Sequence, residues 1–338
     1  MNTSNENGLN RASKAGIINW ALGSDRKIVI LLIAFGLALD STNWFFFLTG
    51  TLPILGIQQI IYALFMFSLC FQRNKYIDLI IHFEYNAKLP SNDQSLDAYM
   101  KRNRYFFYLI TFINFLINAA MNIVPFIMGL IKLNMSALRA FVFSSLQISF
   151  FCNFALFRFF VETCLYIHTC FMRVEKQIDT LNKSTNGLSI EHIRKVRRLY
   201  CIAVETTEKF NSLLWPVIST YFVFSFVSVH FIFAKAIADA SFVTILVCAG
   251  YLSVFILVAY NMVYINHLAT RIYQSAYSLS YKTDLLFAKK EVQLFLTRIE
   301  RSDVGFTFLD LFVITPTCAT TLATISLTLA LAAPFLIK

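Results

Sequence analysis

Apolar residues in this chain gather into seven long runs, and the segments between the runs carry most of the charge. A helix that crosses a hydrocarbon core of about 30 Å needs around 20 mainly apolar residues, and each run has about that length or more. The runs extend over Ile28–Phe46, Leu48–Phe71, Phe106–Ile131, Ala140–Phe171, Ser212–Ala234, Ser241–His267 and Gly305–Ile337. The pattern predicts seven transmembrane helices, of which the first two share a short hinge near 44–51.

The basic residues fall in alternate segments between these runs. The segment before the first run and those after the second, fourth and sixth hold 24 of the 29 lysines and arginines. The other segments hold Lys132, Arg139, Lys235 and Lys338, and Arg158 lies inside the fourth run. Since loops rich in Lys and Arg stay in the cytoplasm, this bias predicts a cytoplasmic amino terminus and an extracellular carboxyl terminus.

The composition is typical of a membrane protein and excludes a soluble one. Hydrophobic residues make up 57% of the chain and charged residues 14%, with a mean hydropathy of +0.63, whereas soluble domains carry about 25% charged residues. The net charge of +10 is confined to the segments between runs, so it indicates orientation in a bilayer and no nucleic-acid partner. We expect a multi-pass plasma-membrane protein that keeps its first helix, because the run from Ile28 lacks a signal-peptide cleavage site.

Several function classes do not fit this plan. A G-protein-coupled receptor has the opposite orientation and carries Asp-Arg-Tyr and Asn-Pro-x-x-Tyr motifs, which are missing at the corresponding positions here. We expect no catalysis, metal or cofactor, because the acidic residues in or near the runs (Asp40, Glu162 and Asp310) stand alone and the seven cysteines are scattered. A transporter built from two similar halves does not fit either, since seven runs do not divide evenly.

A stripe of asparagines on the third run has two interpretations. Asn114, Asn118 and Asn122 repeat every four residues on one helix face, and this face should meet protein or water because amides that face lipid are costly. The amides either form hydrogen bonds between helices or line a ligand cavity. Candidate partners for such bonds are Gln58, Gln59 and Gln147.

Charged positions near the inner ends of the runs predict further local structure. Arg158 and Glu162 lie four residues apart, and this spacing predicts an ion pair on one helix face. The segments Glu191–Arg198 and Tyr281–Arg301 mix charged and apolar residues with a helical period. We expect them to extend the membrane helices into the cytoplasm.

The last run is too long to be a simple transmembrane helix. Its 33 residues, Gly305–Ile337, would span about 50 Å at 1.5 Å per residue. We expect Pro316 to divide it into an inner piece that carries Asp310 and an outer piece that crosses the bilayer, because proline interrupts a continuous helix. The outer piece places four threonines on one face, where they either contact water in a pore or let helices pack closely. These threonines are Thr317, Thr321, Thr324 and Thr328.

Three short segments resemble a known family. Residues 291–299 (Glu-Val-Gln-Leu-Phe-Leu-Thr-Arg-Ile) and 304–310 (Val-Gly-Phe-Thr-Phe-Leu-Asp) precede the last helix, and 210–215 (Phe-Asn-Ser-Leu-Leu-Trp) open the fifth run. With the loop lengths, they resemble the insect gustatory and odorant receptor superfamily, including its nematode gustatory-like and class R serpentine members. The last-helix signature of that superfamily is Thr-Tyr, five apolar residues, then Gln-Phe. This chain has Thr320-Thr321-Leu322 and Ala330-Leu331 there, which indicates a divergent member.

The resemblance implies a fold and an activity. It implies an all-α membrane protein with a cytoplasmic tail (1–27), six helices with long cytoplasmic loops (28–304) and a last helix (305–338) whose outer piece lines a pore. It also implies a homomeric or heteromeric tetramer in the lipid bilayer, in which a small-molecule stimulus opens a cation channel. The ligand site is expected in the outer half of spans two to six. The candidate residues there are Asn122, Phe126, Phe143, Gln147, Ser228 and His230.

Two alternatives stay open beside the chemosensory channel. One is a seven-helix chemoreceptor of the G-protein-coupled type, which differs in topology and needs a G protein. The other is a noncatalytic membrane scaffold, which produces neither current nor second messenger.

Overall fold

The computed structural model is built almost entirely from long helices. It describes residues 27–43, 53–87, 94–131, 136–184, 189–239, 242–282, 286–300, 304–321, 324–325 and 328. The helices are α1 (Lys27–Thr42), α2 (Pro53–Ala87), α3 (Gln94–Asn118), α4 (Val124–Ile131), α5 (Ala137–Lys183), α6 (Ile190–Asp239), α7 (Phe242–Ser278) and α8 (Leu286–Glu300). A π-helical turn (Ala119–Ile123) joins α3 to α4, and a 3₁₀ turn (Leu279–Tyr281) follows α7.

The first six apolar runs are helical wherever the structure describes them, as predicted. Several helices continue far beyond the apolar run. The segment Glu191–Arg198 forms the first turns of α6, and Tyr281–Arg301 contains α8, which confirms that both inner segments are helical. Within the described residues, three stretches are long and apolar enough to cross a bilayer, namely Leu55–Ile80, Ala140–Lys183 and Ile245–Tyr281. The protein is therefore an all-α, multi-pass membrane protein.

The core lies where the inner halves of the long helices meet. The main packing pairs are α1 with α2, α5 with α7, and α2 with α6. In α5 every residue from 159 to 171 is buried, so this half of the helix lies inside the protein. Large aromatic side chains fill the space around it, since buried aromatics contribute more contact area than other residues. The fully buried ones include Tyr62, Tyr76, Phe83, Phe171, Tyr200, Phe210 and Phe295.

A glycine allows α1 to approach α5 closely. A Cβ atom added to Gly36 would lie 2.5 Å from Sγ of Cys152 and 3.1 Å from Cγ2 of Ile148. Both distances are shorter than ordinary van der Waals contact. Small residues at such crossings let membrane helices pack backbone against side chain. Gly36 therefore sets the distance between these two helices.

The inner piece of the last run differs from the prediction of a helix. Residues 305–315 contain a two-stranded antiparallel hairpin, in which β1 (Thr307–Phe308) pairs with β2 (Phe312–Val313). The two residues at its tip, Leu309 and Asp310, have positive φ angles of 50° and 58°. The hairpin closes where the Ile314 N–H donates to the Phe306 carbonyl at 2.8 Å. The inner piece that carries Asp310 is thus a turn and not a helix.

The final helix begins immediately after this hairpin. It is helical at 316–321, 324–325 and 328. Thr315 caps its start, because its hydroxyl accepts a hydrogen bond from the Cys318 N–H at 3.1 Å. Pro316 occupies the first helical position, where the missing N–H would have no helical partner anyway. Pro316 does divide the last run as predicted, but it starts a helix instead of interrupting one.

Candidate ligand site and pore helix

Two asparagines of the α3 stripe form hydrogen bonds to neighbouring helices. Asn118 Nδ2 donates to Gln147 Oε1 on α5 at 2.5 Å. Asn114 Nδ2 donates to the Ser253 hydroxyl on α7 at 3.2 Å. Both bonds confirm the interpretation that the stripe holds helices together, and Gln147 was among the partners expected. The side chain of Asn122 lies outside the described residues.

The α3 stripe ends in the π-helical turn. Pro125 follows the turn by two residues. Because proline has no N–H to give to the carbonyl four residues earlier, the regular helical ladder cannot continue through this point. Single π-helical turns inside helices occur frequently at functional sites. The interruption lies in the outer half of the bundle, where the ligand site is predicted.

Three of the predicted ligand-site residues lie along one contact between α4 and α5. The rings of Phe126 and Phe143 have centroids 5.8 Å apart. Gln147 lies one turn from Phe143 on the same face of α5, and Asn118 bonds to it. All three predicted side chains are half-buried. The side chains of Ser228 and His230 lie outside the described residues, and the ligand-binding role of the whole set stays a prediction.

The structure adds polar residues to this region that the sequence analysis did not single out as binding candidates. Asn43 Nδ2 donates to the Ser145 hydroxyl on α5 at 2.7 Å, and both residues are buried. Asp40, one turn earlier on α1, is also buried. Ser253 is the partner of Asn114. The sequence did carry a signal for this contact, because Gly250 lies one turn before Ser253 and small residues let membrane helices approach closely. A Cβ atom added to Gly250 would lie only 2.6 Å from Oδ1 of Asn114.

The four predicted pore threonines are all exposed in the single chain. The hydroxyls of Thr321, Thr324 and Thr328 each donate to a carbonyl four residues earlier in the same helix, at 2.9 Å. The Thr317 carbonyl is the acceptor for Thr321. These bonds satisfy the hydroxyl hydrogens within the helix. The hydroxyl oxygens can still accept hydrogen bonds.

Side chains of α6 hold the hairpin that precedes the final helix. Asn211 Oδ1 accepts from the Thr307 N–H at 2.8 Å, and its Nδ2 donates to the Thr307 hydroxyl at 2.9 Å. Ser219 accepts from the Leu309 N–H at 2.8 Å. Asn211 and Ser219 lie on either side of Pro216, which is inside α6. Residues of α6 on both sides of this proline thus hold the hairpin that precedes the final helix.

Glu162 has a different partner from the one predicted. Arg104 on α3 donates to both of its carboxylate oxygens, Nε to Oε1 and Nη2 to Oε2, each at 2.8 Å. Arg158 instead lies over the ring of Tyr108, with 4.8 Å between its Cζ and the ring centroid. The expected Arg158–Glu162 pair is wrong. A bidentate arginine from another helix satisfies the buried carboxylate better than one arginine one turn away.

Solved structures resemble this chain in fold, although sequence comparisons find no relative. No protein-family profile and no curated protein sequence matches this chain. The insect olfactory receptor OR5 from Machilis hrabei matches with a TM-score of 0.64 and 13% identity, over 92% of this chain and 89% of that receptor. Its complex with eugenol gives 0.64 and 12%, over 93% and 90%. This chain has the fold of an insect olfactory receptor.

The match extends over nearly the full length of both proteins. At 13% identity, the similarity concerns backbone architecture and does not assign individual side chains. Within the described residues, no group of three His, Cys, Asp or Glu side chains could hold a metal ion.

Proposed function

We propose that this protein is a chemosensory receptor of the plasma membrane that acts as a ligand-gated cation channel. In this proposal four copies of the chain, identical or mixed with related subunits, surround a central pore lined by the final helix. The chain performs no catalysis. The insect olfactory receptor fold, found over nearly the whole chain, supports the assignment to this class of receptor.

The exposed threonine face of the final helix is the observation that carries the proposal. Thr317, Thr321, Thr324 and Thr328 are exposed although they belong to an apolar, membrane-length run. Their spacing places them on one side of the helix. A polar face that the chain itself leaves uncovered suits contact with water and with the equivalent helices of other subunits.

The chemistry of this face suits the passage of cations. Each of the three hydroxyls described above already donates its hydrogen within the helix, so its oxygen is available only as an acceptor. Oxygen acceptors along a pore replace part of the hydration shell of a passing cation. The threonine face carries no fixed charge. Any selectivity for cations must then come from the hydroxyl oxygens or from the wider entrances of the pore.

The side chains at the contact between α4 and α5 are suited to binding a small, weakly polar ligand. Phe126 and Phe143 provide aromatic walls, and Gln147 with Asn118 provides amide groups. Binding sites for small molecules commonly combine apolar walls with a few polar groups. OR5 from Machilis hrabei has been solved in complex with eugenol, an aromatic phenol. We therefore propose small aromatic compounds as the first class of stimulus to test.

The experiment is whole-cell current recording from cells that express the protein, with a panel of small aromatic compounds that includes eugenol. The double variant Thr321→Leu with Thr324→Leu should abolish current while surface labelling stays at the wild-type level, because leucine fills the lumen and removes the oxygens. Thr297→Leu is the matched control. Thr297 is an exposed threonine on α8 with the same type of bond, to the Gln293 carbonyl at 3.0 Å.

Other outcomes would favour the alternatives. Unchanged currents in the double variant would remove the pore assignment of the final helix. A second-messenger response without current would favour a metabotropic receptor. Epitope tags at both ends give an independent check, since a tag that is accessible on intact cells only at the amino terminus contradicts the proposed orientation.

A further inference from the structure

Helix α5 stops being buried on all sides at Arg158, and beyond it only one face, which includes Leu156 and Cys152, stays buried. All residues from 159 to 171 are buried, whereas Arg158 is half-buried and Phe151 and Ile148, further out, are exposed. The exposed side chains of the outer part of α5 are apolar apart from Ser144, namely Phe141, Ile148 and Phe151, as expected for a surface that meets lipid chains. Arg158 thus lies at the point where one face of the helix becomes exposed at the surface of the chain.

Among the residues that the structure describes, Arg158 makes no direct ion pair, although the charge of Glu162 acts on it through space. Glu162, one turn away, is the nearest candidate, but Arg104 occupies both of its oxygens. The guanidinium of Arg158 lies over the Tyr108 ring instead. An aromatic face weakly stabilises a cation but does not neutralise it. Arg104 and Arg158 thus share the single negative charge of Glu162, which leaves one positive charge for a group outside the chain to balance.

Helix α3 shows where the membrane surface lies. Lys101 is exposed and Arg104 follows it on the same face. From Tyr105 onward the exposed residues are aromatic or apolar, including Tyr108 and Phe112. Tyrosines at such a boundary mark the headgroup level of a bilayer. Arg158 touches Tyr108 and so belongs to that level, on the side of the basic loops.

We propose that Lys101, Arg104, Tyr108 and Arg158, here named the inner basic patch, bind the phosphate headgroup of an anionic phospholipid. Arg104 and Arg158 share one carboxylate, Glu162. Lys101 lies one turn before Arg104 on α3, and Asp97 lies one turn before Lys101, further from the apolar run. Guanidinium groups bind phosphate oxygens in a bidentate manner. The exposed rings and apolar side chains of α3 pack along the acyl chains of the same lipid. This inference stands independently of channel activity.

Lipid binding to the purified full-length protein in detergent tests the proposal, with native mass spectrometry as the readout. The probes are phosphatidylserine and phosphatidylcholine with identical acyl chains. Wild type should retain phosphatidylserine preferentially. Arg158→Gln should weaken phosphatidylserine binding by about fivefold, the contribution of one basic residue near an anionic surface, and leave phosphatidylcholine binding unchanged. Arg158→Lys should keep a large part of the affinity because it keeps the charge.

Lys290→Gln is the matched control, because Lys290 is an exposed base on α8 and its loss should leave binding unchanged. Lys101→Gln is a second test at an exposed position that does not endanger folding, and it should weaken phosphatidylserine binding in the same direction. Equal retention of both lipids by wild type would overturn the proposal, as would wild-type affinity in both Arg158→Gln and Lys101→Gln. Displacement of the lipid by millimolar inorganic phosphate would also overturn it, since the patch would then be a site for free phosphate.

Discussion

The inner half of α5 and the final helix handle polar residues in opposite ways. In α5, Glu162, Thr163 and His168 are buried, and each bonds to another part of the chain. Arg104 holds Glu162, Tyr76 bonds to Thr163, and Tyr99 and the Asn261 carbonyl bond to the two ring nitrogens of His168. In the final helix, the threonine hydroxyls are exposed and donate only to carbonyls of their own helix.

This difference shows that the hydrophobicity of a run does not reveal whether its polar residues are buried or exposed. Both segments belong to runs of similar hydrophobicity in the sequence, yet one forms the interior of a single chain and the other presents a polar face outward. A buried polar group costs free energy unless a partner satisfies it. In α5 the partners come from the same chain, so its structure should depend on them. The final helix should tolerate polar changes in folding but not in function.

The largest effect is expected at Glu162. Glu162→Gln leaves Arg104 partly buried without a countercharge, and breaking a buried pair in this way costs about 3–5 kcal/mol. Glu208→Gln is the matched control, because the side chain of Glu208 is 63% exposed and its oxygen lies 3.8 Å from Arg298. Exposed pairs contribute about 0–1 kcal/mol. Thermal unfolding of the purified protein in detergent should show a large loss for the first variant and little change for the second.

Equal melting temperatures for Glu162→Gln and Glu208→Gln would break the comparison. The inner half of α5 would then not depend on its internal polar partners. The comparison would be sharpened if the double variant Glu162→Gln with Arg104→Gln recovered stability that Glu162→Gln alone loses. Two neutral side chains can bond to each other without a buried charge. The double-variant cycle separates the pair from the individual side chains.

The sequence predicted the helices of this fold well, because length and uniform hydrophobicity are properties of a segment on its own. The same local rules failed for Glu162. Spacing of four residues favoured Arg158, whereas the partner, Arg104, lies 58 residues away on another helix. The asparagine stripe was more informative, since its interpretation depended only on the cost of amides in lipid. Gln147 could be named as a candidate for the same reason.

The hairpin before the final helix was missed because its residues look like a continuation of the apolar run. Each strand has only two residues, which is too short to show alternation. The turn has Leu309 and Asp310 at positive φ, where Asn-Gly is the usual signal. The start of the helix did carry a signal, since Thr315 followed by Pro316 is a common beginning. The candidate ligand residues depended on the family resemblance and not on a local pattern.

A medium effect is expected at the crossing of α1 and α5. Gly36→Ala places a Cβ at 2.5 Å from Cys152 Sγ, and overpacking of this kind costs about 1–3 kcal/mol. Removing the sulfur should relieve the contact, so Gly36→Ala with Cys152→Ala should be more stable than the sum of the single variants predicts. Thermal unfolding of all four proteins measures this coupling. If the effects of the two variants on stability simply add, α1 moves away from α5 without cost. The two helices would then not be closely packed at this crossing.

The smallest effect is expected in the hairpin, on the exposed side of the comparison. Leu309 has a φ of 50°, a conformation that costs a residue with a side chain about 1–2 kcal/mol. Leu309→Gly removes this strain but gains entropy in the unfolded chain, so we expect a net stabilisation of about 0.5 kcal/mol. Leu311→Gly is the control, because Leu311 is in the same turn, is also exposed and has no positive φ, and it should lose about 0.5–1 kcal/mol. Destabilisation of similar size in both variants would mean that the packing of Leu309 outweighs its strain, and the hairpin would then resemble the inner half of α5 more than the final helix.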